Sequence, residues 1–483
     1  MRQKVLSTIF TFLLSSQHSQ ALSLPEYLEQ VKNNNLTYSY SNEQSEASQL
    51  LKKKADLVTA ISLFGNYQNG FNQQNQGTPI LKYTNLYSTN YQLGLSQTSD
   101  LGITTKLSYV MNRYTYKGLS TSSYSNPSLA ASNYQTTPLL SVSIPLWQNR
   151  FGAATRASQD SVFYQNEVQK LNAQSVSLTS LITAEKYYWQ LATARKIVEI
   201  QTATLKQAQL ILQYVTRRYR MNLGDKADVL QAEALVEQKS LDLNQAKNDE
   251  KTAARNFNKQ RYLDSEQAEE TLESIDSKRL ENTFVTKIRS DSRFDVKASE
   301  AQMKASIAAA KLEEENSKPS LNLTSYYALK GVEAGATSAT KHGLDLNGRE
   351  GAIGLNFSVP INFELTSDIR RGALKNASVA KITYRQKIFD QENDWNNLIQ
   401  NLEYFKENLA LAKKLESAQK SKLENERIRL KQGRTSTYQI LTFEQDYSKS
   451  QLVSAQTAYQ ILGLIADKKL YDKQESQRQN ESR

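Results

Sequence analysis

The sequence predicts a mainly α-helical fold joined to an antiparallel membrane β-barrel and built from two tandem repeats. Three observations predict it. Residues 153–318 contain one glycine, Gly224, and no proline, which fits helices much longer than the three or four turns of ordinary globular domains. Other stretches alternate apolar and polar residues with the period of two that marks strands. The same order of pieces then occurs twice.

The first element is a leader. MRQKVLSTIFTFLLSSQHSQA has a basic start (Arg2, Lys4), an apolar run (Val5–Leu14) and a small-x-small end at Ser19–Ala21. It reads as a secretory signal peptide, residues 1–21, cut after Ala21. No later apolar run approaches the roughly 18–20 residues that a membrane-crossing helix needs.

The first structural repeat is expected over 22–265. It opens with a helix over 24–56. The strands ISLFGNYQN (61–69), YQLGLSQ (91–97), ITTKLSYVM (103–111) and LLSVSIPLW (139–147) follow, the middle two flanking a Ser-Asp-Leu-Gly turn. A long helix then starts at Ala153. Steps of seven link Ala184, Leu191, Val198, Leu205, Leu212 and Tyr219, and a partner series links Tyr187, Ala194, Gln201, Ala208 and Val215. This is a coiled-coil pattern. About 65 helical residues span roughly 100 Å, so such a rod must lie against other rods. It ends in TRRYRMNLGDKADVL (216–230), where Gly224 is read as the left-handed cap of a hairpin tip, and a returning helix covers 226–262.

Residues 266–290 connect the repeats. The second repeat, 291–470, has a helix over 291–317, strands SLNLTSYYAL (320–329) and AIGLNFSVPI (352–361), and a long helix marked by Trp395, Leu402, Leu409, Leu423 and Leu430, with Glu416 as the exception. A second tip follows at Gly433 in RIRLKQGRTSTYQIL (427–441), then a returning helix over 435–468. Stretches 70–89, 117–137 and 331–350 read as long surface loops, and 471–483 as a polar, disordered tail.

Composition excludes several functions. There is no cysteine, and His18 and His342 are the only histidines, so disulfides, thiol catalysis and Cys/His metal sites are ruled out and no metal or cofactor is expected. No nucleophile elbow or phosphate loop occurs, so the chain is not read as an enzyme. The net charge of +11 comes from lysines and arginines interleaved with acids, as in KLEEENSK (311–318). That pattern is a solvated face, and no nucleic-acid partner is expected.

In lipid every backbone polar group must be paired, so strands cross only as a closed barrel, and each crossing needs about 9–11 residues. One chain offers four clear crossings, or six if 91–97 and 103–111 also span. The smallest barrels have about eight strands, so several copies must share one barrel. Trp147 and Phe363, just past the junctions SIPLW and SVPINF, are expected at the membrane–water interface.

The opening helix SLPEYLEQVKNNN (23–35), those two strand–proline junctions and the duplicated glycine hairpins resemble the TolC-like outer-membrane efflux proteins over nearly the whole mature chain. The resemblance implies a homotrimer with a twelve-helix tunnel and a shared barrel of four strands per subunit, in the outer membrane of a Gram-negative cell with a large periplasmic part. It implies an exit duct for tripartite efflux or type I secretion, and as partners a periplasmic adaptor (membrane fusion) protein and an inner-membrane pump or secretion ATPase.

Adaptor contact maps onto Leu223, Gly224 and Asp225 in the first tip and Gln432, Gly433, Arg434 and Thr435 in the second, with Gln432 where a small apolar residue is usual. Many relatives carry gating acids six and nine positions past the second glycine. Here those are Gln439 and Thr442, so that gate does not carry over. Tyr438, Glu444 and Asp446 are the candidate substitutes, the plain alternative being a solvated helix face. Arg217, Arg218, Arg220, Arg427 and Arg429 are candidate pairing partners across the tips. The competing reading is an exported periplasmic coiled-coil adaptor or structural protein without a barrel.

Overall fold

The structure, a computed structural model, describes residues 21–78, 81–118, 120–121, 132–276, 280, 287–345 and 348–472. The expected signal peptide, save Ala21, and residues 473–483 of the expected tail lie outside the described residues. In chain order the elements are α1 (Leu24–Asn34), α2 (Leu36–Leu51), β1 (Ser62–Thr78), β2 (Leu81–Thr98), β3 (Thr104–Lys117), β4 (Ser132–Pro145), α3 (Ala153–Arg220), α4 (Lys226–Gln260), α5 (Phe294–Asn316), β5 (Ser320–Leu329), α6 (Ala336–Leu344), β6 (Arg349–Ser358), α7 (Phe363–Lys431) and α8 (Thr437–Lys468). No helix among the described residues is long and apolar enough to cross a membrane.

The chain divides into two compact units. The first, Gln44–Asn172 with Asp295–Ile388, holds the sheet. The six long strands pair antiparallel in sequence order, β1 to β6. Of the two counts the sequence left open, four or six, the sheet carries six long strands, more than the four per subunit that the resemblance implies. Both 91–97 and 103–111 are ladder strands, joined by a turn in which Ser99 N–H donates to Ile103 O (2.9 Å) and Gly102 adopts φ 77°.

Stretch 70–89 is also mostly strand rather than loop. Its Asn, Gln, Ser and Gly residues are poor strand formers in isolation, but they pair across the sheet, as where Thr89 Oγ1 donates to Asn69 Oδ1 at 3.1 Å. At 331–350, Gly331–Glu333 continues β5 in the same register against β4. Helix α6 then packs over it, with Thr136 Oγ1 donating to Ala339 O at 2.6 Å.

The second unit takes the chain up to Glu43, Ala173–Phe294 and everything from Phe389. Its α1 is fixed by a capping box: Ser23 accepts from Glu26 N–H while the Glu26 carboxylate accepts from Ser23 N–H. The single opening helix expected over 24–56 is broken at Asn35. Its side chain caps the next helix by accepting from Tyr38 N–H (3.0 Å) and donates to Gln260 O (2.9 Å).

The main core gathers Tyr27, Tyr188, Leu191, Phe257, Leu402, Leu409 and Ile461. Tyr27 stacks on Phe257 at 4.3 Å and donates to its carbonyl at 3.1 Å. Truncating an aromatic of this kind costs roughly 3–5 kcal/mol. Tyr471, assigned to the disordered tail from sequence, is 2% exposed and packs on Trp395 at 4.9 Å. A polar neighbourhood in sequence hid a core aromatic.

One heptad series in α3 holds and the other drifts. Ala194, Gln201, Ala208 and Val215 are buried. Ala184 and Leu191 are buried too, but the series they start reaches Tyr219 at 42% exposure. A straight α-helix turns away from a strict seven-residue repeat by about 20° per heptad, and Thr204 and Ile211 take over the seam.

Candidate functional site

Strand register gives the sheet two chemically distinct faces. Leu63, Leu95, Leu107 and Leu140 lie directly across from one another on β1 to β4, and all four are exposed. Tyr67, Tyr91 and Met111 form a second row on that face, and Ile353, Leu355 and Phe357 extend it onto β6 at 78%, 64% and 61% exposure. The other face carries the row Gln68, Asn90, Asn112 and Gln135, with Asn90 Nδ2 donating to Asn112 Oδ1 at 2.6 Å. In water such a surface is an aggregation hazard. A barrel wall in lipid requires this alternation.

At the base of the sheet Trp147 and Phe363 are 50% and 66% exposed. Phe151 and Ile361, at 64% and 87%, join them and were missed in the sequence. Both follow the proline junctions, which was the available signal. Between β4 and α3 the chain turns sharply through Asn149 (φ 60°), Phe151 (φ 53°) and Gly152 (φ 72°). The Asn149 carboxamide then caps α3 by accepting from Thr155 N–H at 3.0 Å.

In the other unit the four tip helices share one core: Ala208, Ile211 and Val215 of α3, Leu235 of α4, Leu423 and Leu430 of α7, and Ile440 and Leu441 of α8. Both tips end in the same motif. At the second, Gly433 N–H donates to Leu430 O (3.0 Å) and Arg434 N–H to Arg429 O (2.9 Å), with Gly433 at φ 68°. At the first, Asn222 N–H donates to Tyr219 O (2.9 Å) and Leu223 N–H to Arg218 O (2.9 Å), with Asn222 at φ 54°.

These are Schellman ends, and they correct the expectation for Gly224. The left-handed residue of the first tip is Asn222, because asparagine tolerates that region. Gly224 instead packs close to the helix end, 3.4 Å separating its missing Cβ from Arg218 Cβ. Leu223, Asp225, Gln432, Gly433 and Arg434 are exposed, while Gly224 and Thr435 are half-buried.

The candidate gate residues separate into two groups. Arg427 Nε donates to Glu444 Oε1 at 3.0 Å, and its Nη2 reaches Gln207 on α3 at 3.2 Å. Glu444 is 6% exposed; burial pushes its carboxyl up, and the Arg427 charge opposes that only in part. Arg429 pairs with the buried Glu426 at 3.2 Å, and Asp446 lies 3.9 Å from Lys422. Arg218 Nη2 donates to Leu223 O at 2.8 Å, bracing the first tip. Arg217, Arg220, Tyr438 and Gln439 are exposed, with Gln439 Oε1 accepting from Thr435 Oγ1 at 3.3 Å. Thr442 Oγ1 is spent on the Tyr438 carbonyl at 3.0 Å. Sequence missed Glu426 and Gln207, since nothing in a linear pattern distinguishes a buried acid from the many exposed ones.

Comparison with known proteins agrees with this architecture. Residues 102–259 match the model of the family described as outer membrane efflux protein. No curated protein sequence matches the chain. Among solved structures, the chain is similar to the CmeC outer membrane channel of Campylobacter jejuni (13% identity, 100% of this chain and 97% of that one, TM-score 0.64). It is likewise similar to the MtrE outer membrane channel of Neisseria gonorrhoeae (15%, 93% and 89%, 0.61) and to the outer membrane protein VceC of Vibrio cholerae (12%, 92% and 94%, 0.61). At these identities the likeness is one of fold. Residues 102–259 thus match the outer membrane efflux protein family, and nearly the whole chain shares the fold of these outer-membrane channels.

Proposed function

We propose that this protein is the outer-membrane exit duct of a tripartite efflux or type I secretion assembly, working as a homotrimer. The observation that carries this reading is the two-faced sheet. A leucine row directly exposed on one side and an amide row on the other suit a wall with lipid outside and water inside. The exposed tip residues Leu223, Asp225, Gln432, Gly433 and Arg434, with Gly224 and Thr435, are the surface offered to a periplasmic adaptor. The adaptor in turn couples the duct to an inner-membrane pump or secretion ATPase.

Gating at the tips follows from the same charges. Arg217 and Arg220 are exposed and available to acids on a neighbouring copy, and exposed pairs of this kind are worth about 0–1 kcal/mol each. A closed end held by several such pairs opens at modest cost. Behind that gate Arg427 on α7 hydrogen-bonds Glu444 on α8, joining the two arms of the second hairpin.

The test is reconstitution. Purified mature protein should require detergent, run as a trimer and insert into planar bilayers with stepwise conductance. Reversing Arg217 and Arg220 together to glutamate should raise the resting current. Leu223→Asp should weaken co-purification with the adaptor while leaving insertion intact. A water-soluble monomer that forms no conductance ends the reading.

A further inference from the structure

We propose that the β2–β3 hairpin adds two membrane-crossing strands to every subunit, so that three copies close a barrel of eighteen strands, six from each. The β1 edge of one copy would pair with the β6 edge of the next. This rests on the trimeric duct proposed above.

Three observations argue against an outward-reaching loop. First, the ladder is unbroken: β2 stays in register with β3 from Thr98↔Thr104 to Asn85↔Lys117, and β3 with β4 from Thr104↔Ser143 to Thr115↔Ser132. Strands of 18 and 14 residues exceed the roughly 9–11 that a crossing needs.

Second, the hairpin's turn lies at the helix-side end of the sheet. Asp100 O accepts from Arg156 Nη1 on α3 at 3.3 Å, and a Cβ on Gly152 would stand 1.8 Å from that same oxygen. A loop reaching outward would carry its turn at the opposite end. Third, Leu95 and Leu107 complete the exposed leucine row between Leu63 and Leu140, so the apolar band runs through the hairpin without a gap.

Closure by a second copy follows from the backbone. Among the described residues β1 pairs only with β2, and β6 only with β5. Open edges are not tolerated in lipid. β1 leaves the helix side and β6 returns to it, so adjoining copies meet antiparallel. Barrel diameter grows roughly linearly with strand number, which makes eighteen strands about 1.5 times as wide as twelve and suits a bulky cargo or a plugged lumen.

The chain's lack of cysteine makes single-cysteine labelling clean. In outer membranes, Leu95→Cys and Leu107→Cys should be protected from a membrane-impermeant maleimide, while Ser96→Cys and Lys106→Cys on the other face should react. Cysteine pairs stepped along β1 and β6 should cross-link between copies. Excising residues 79–118 leaves an up–down pair, β1 and β4, and should narrow the ring seen end-on by electron microscopy about 1.5-fold. If that variant does not fold, the labelling pattern still decides.

Labelling at 95 and 107 as readily as at 96 and 106 places the hairpin outside the membrane and overturns the proposal, even if cross-linked trimers persist. Alternating protection in a particle whose mass is not a trimer overturns the trimeric reading, and the count of eighteen with it.

Discussion

Asn222 and Gly433 hold the same place in the same helix-ending motif, each with positive φ and each donating its N–H to the carbonyl three residues earlier. Their chemistry differs, and so should their response to substitution. Gly433→Ala meets open space, so its cost is backbone strain alone, about 1–2 kcal/mol. Asn222→Gly should stay within about 0.5 kcal/mol of wild type. Gly224→Ala, at a position without positive φ, should also stay within about 0.5 kcal/mol. Hydrogen exchange at the two tips ranks the three. Gly224→Ala proving costlier than Gly433→Ala would return the left-handed cap to Gly224.

Glu444 should give the second hairpin a pH dependence of definite sign. Burial raises its folded pKa above the ordinary carboxylate value of 4.5, with Arg427 opposing. The folded state therefore holds this proton more tightly than the unfolded state. Its contribution is fully present below about 4.5 and is lost as pH rises through the raised value. Among the other groups on the packed helices, Arg427 is the direct partner, Gln207 does not titrate, and the Tyr447 hydroxyl, also raised, stays neutral in this range. Hydrogen exchange at the ends of α7 and α8 should slow on acidification from neutrality, and Glu444→Gln should flatten the profile. An unchanged profile in that variant assigns the dependence elsewhere.

Tyr471 should behave as a core residue. It is 2% exposed against Trp395, and its carbonyl ties down the start of the second repeat, Asp291 N–H donating to Tyr471 O at 3.0 Å. Tyr471→Ala should cost roughly 3–5 kcal/mol, and Tyr471→Phe much less, since it keeps the buried ring and gives up the hydroxyl that Arg293 Nη1 approaches at 3.5 Å. Thermal unfolding of the two variants side by side measures the difference.

Long-range periodicity made the helices legible: Trp395, Leu402, Leu409, Leu423 and Leu430 were expected on one seam and all five are buried. The strands were legible in part. Leucine-bearing stretches such as 91–97 and 103–111 alternate visibly. The upper parts of β1 and β2 do not, because Asn, Gln and Ser on the polar face sit next to Gly, Tyr and Asn on the other. At the tips the arginines and Glu444 were singled out, but which arginine meets which acid was not. Gln207 acquires its role only when separate helices pack, and Glu426, which pairs with Arg429 on its own helix, is buried only by that packing. The left-handed cap was placed on the residue type that usually supplies it, Gly224, although Asn222 could adopt the same backbone two positions earlier.

The turn joining β2 to β3 depends on the absence of one carbon atom. Gly152 has φ 72°, and a Cβ there would fall 1.8 Å from Asp100 O and 2.8 Å from the Leu101 carbonyl carbon. Neither neighbour is a flexible side-chain end, so relief requires moving the turn or the start of α3. Strain at positive φ adds about 1–2 kcal/mol to overpacking of about 1–3 kcal/mol, and Gly152→Ala should destabilise by roughly 3 kcal/mol. Gly372 is the control: it lies exposed within α7 with nothing within 4 Å, so Gly372→Ala should gain about 0.5–1 kcal/mol through helix propensity. Unfolding midpoints of the detergent-solubilised protein compare the two. A Gly152→Ala protein as stable as wild type would mean that the β2–β3 turn does not rest on the base of α3.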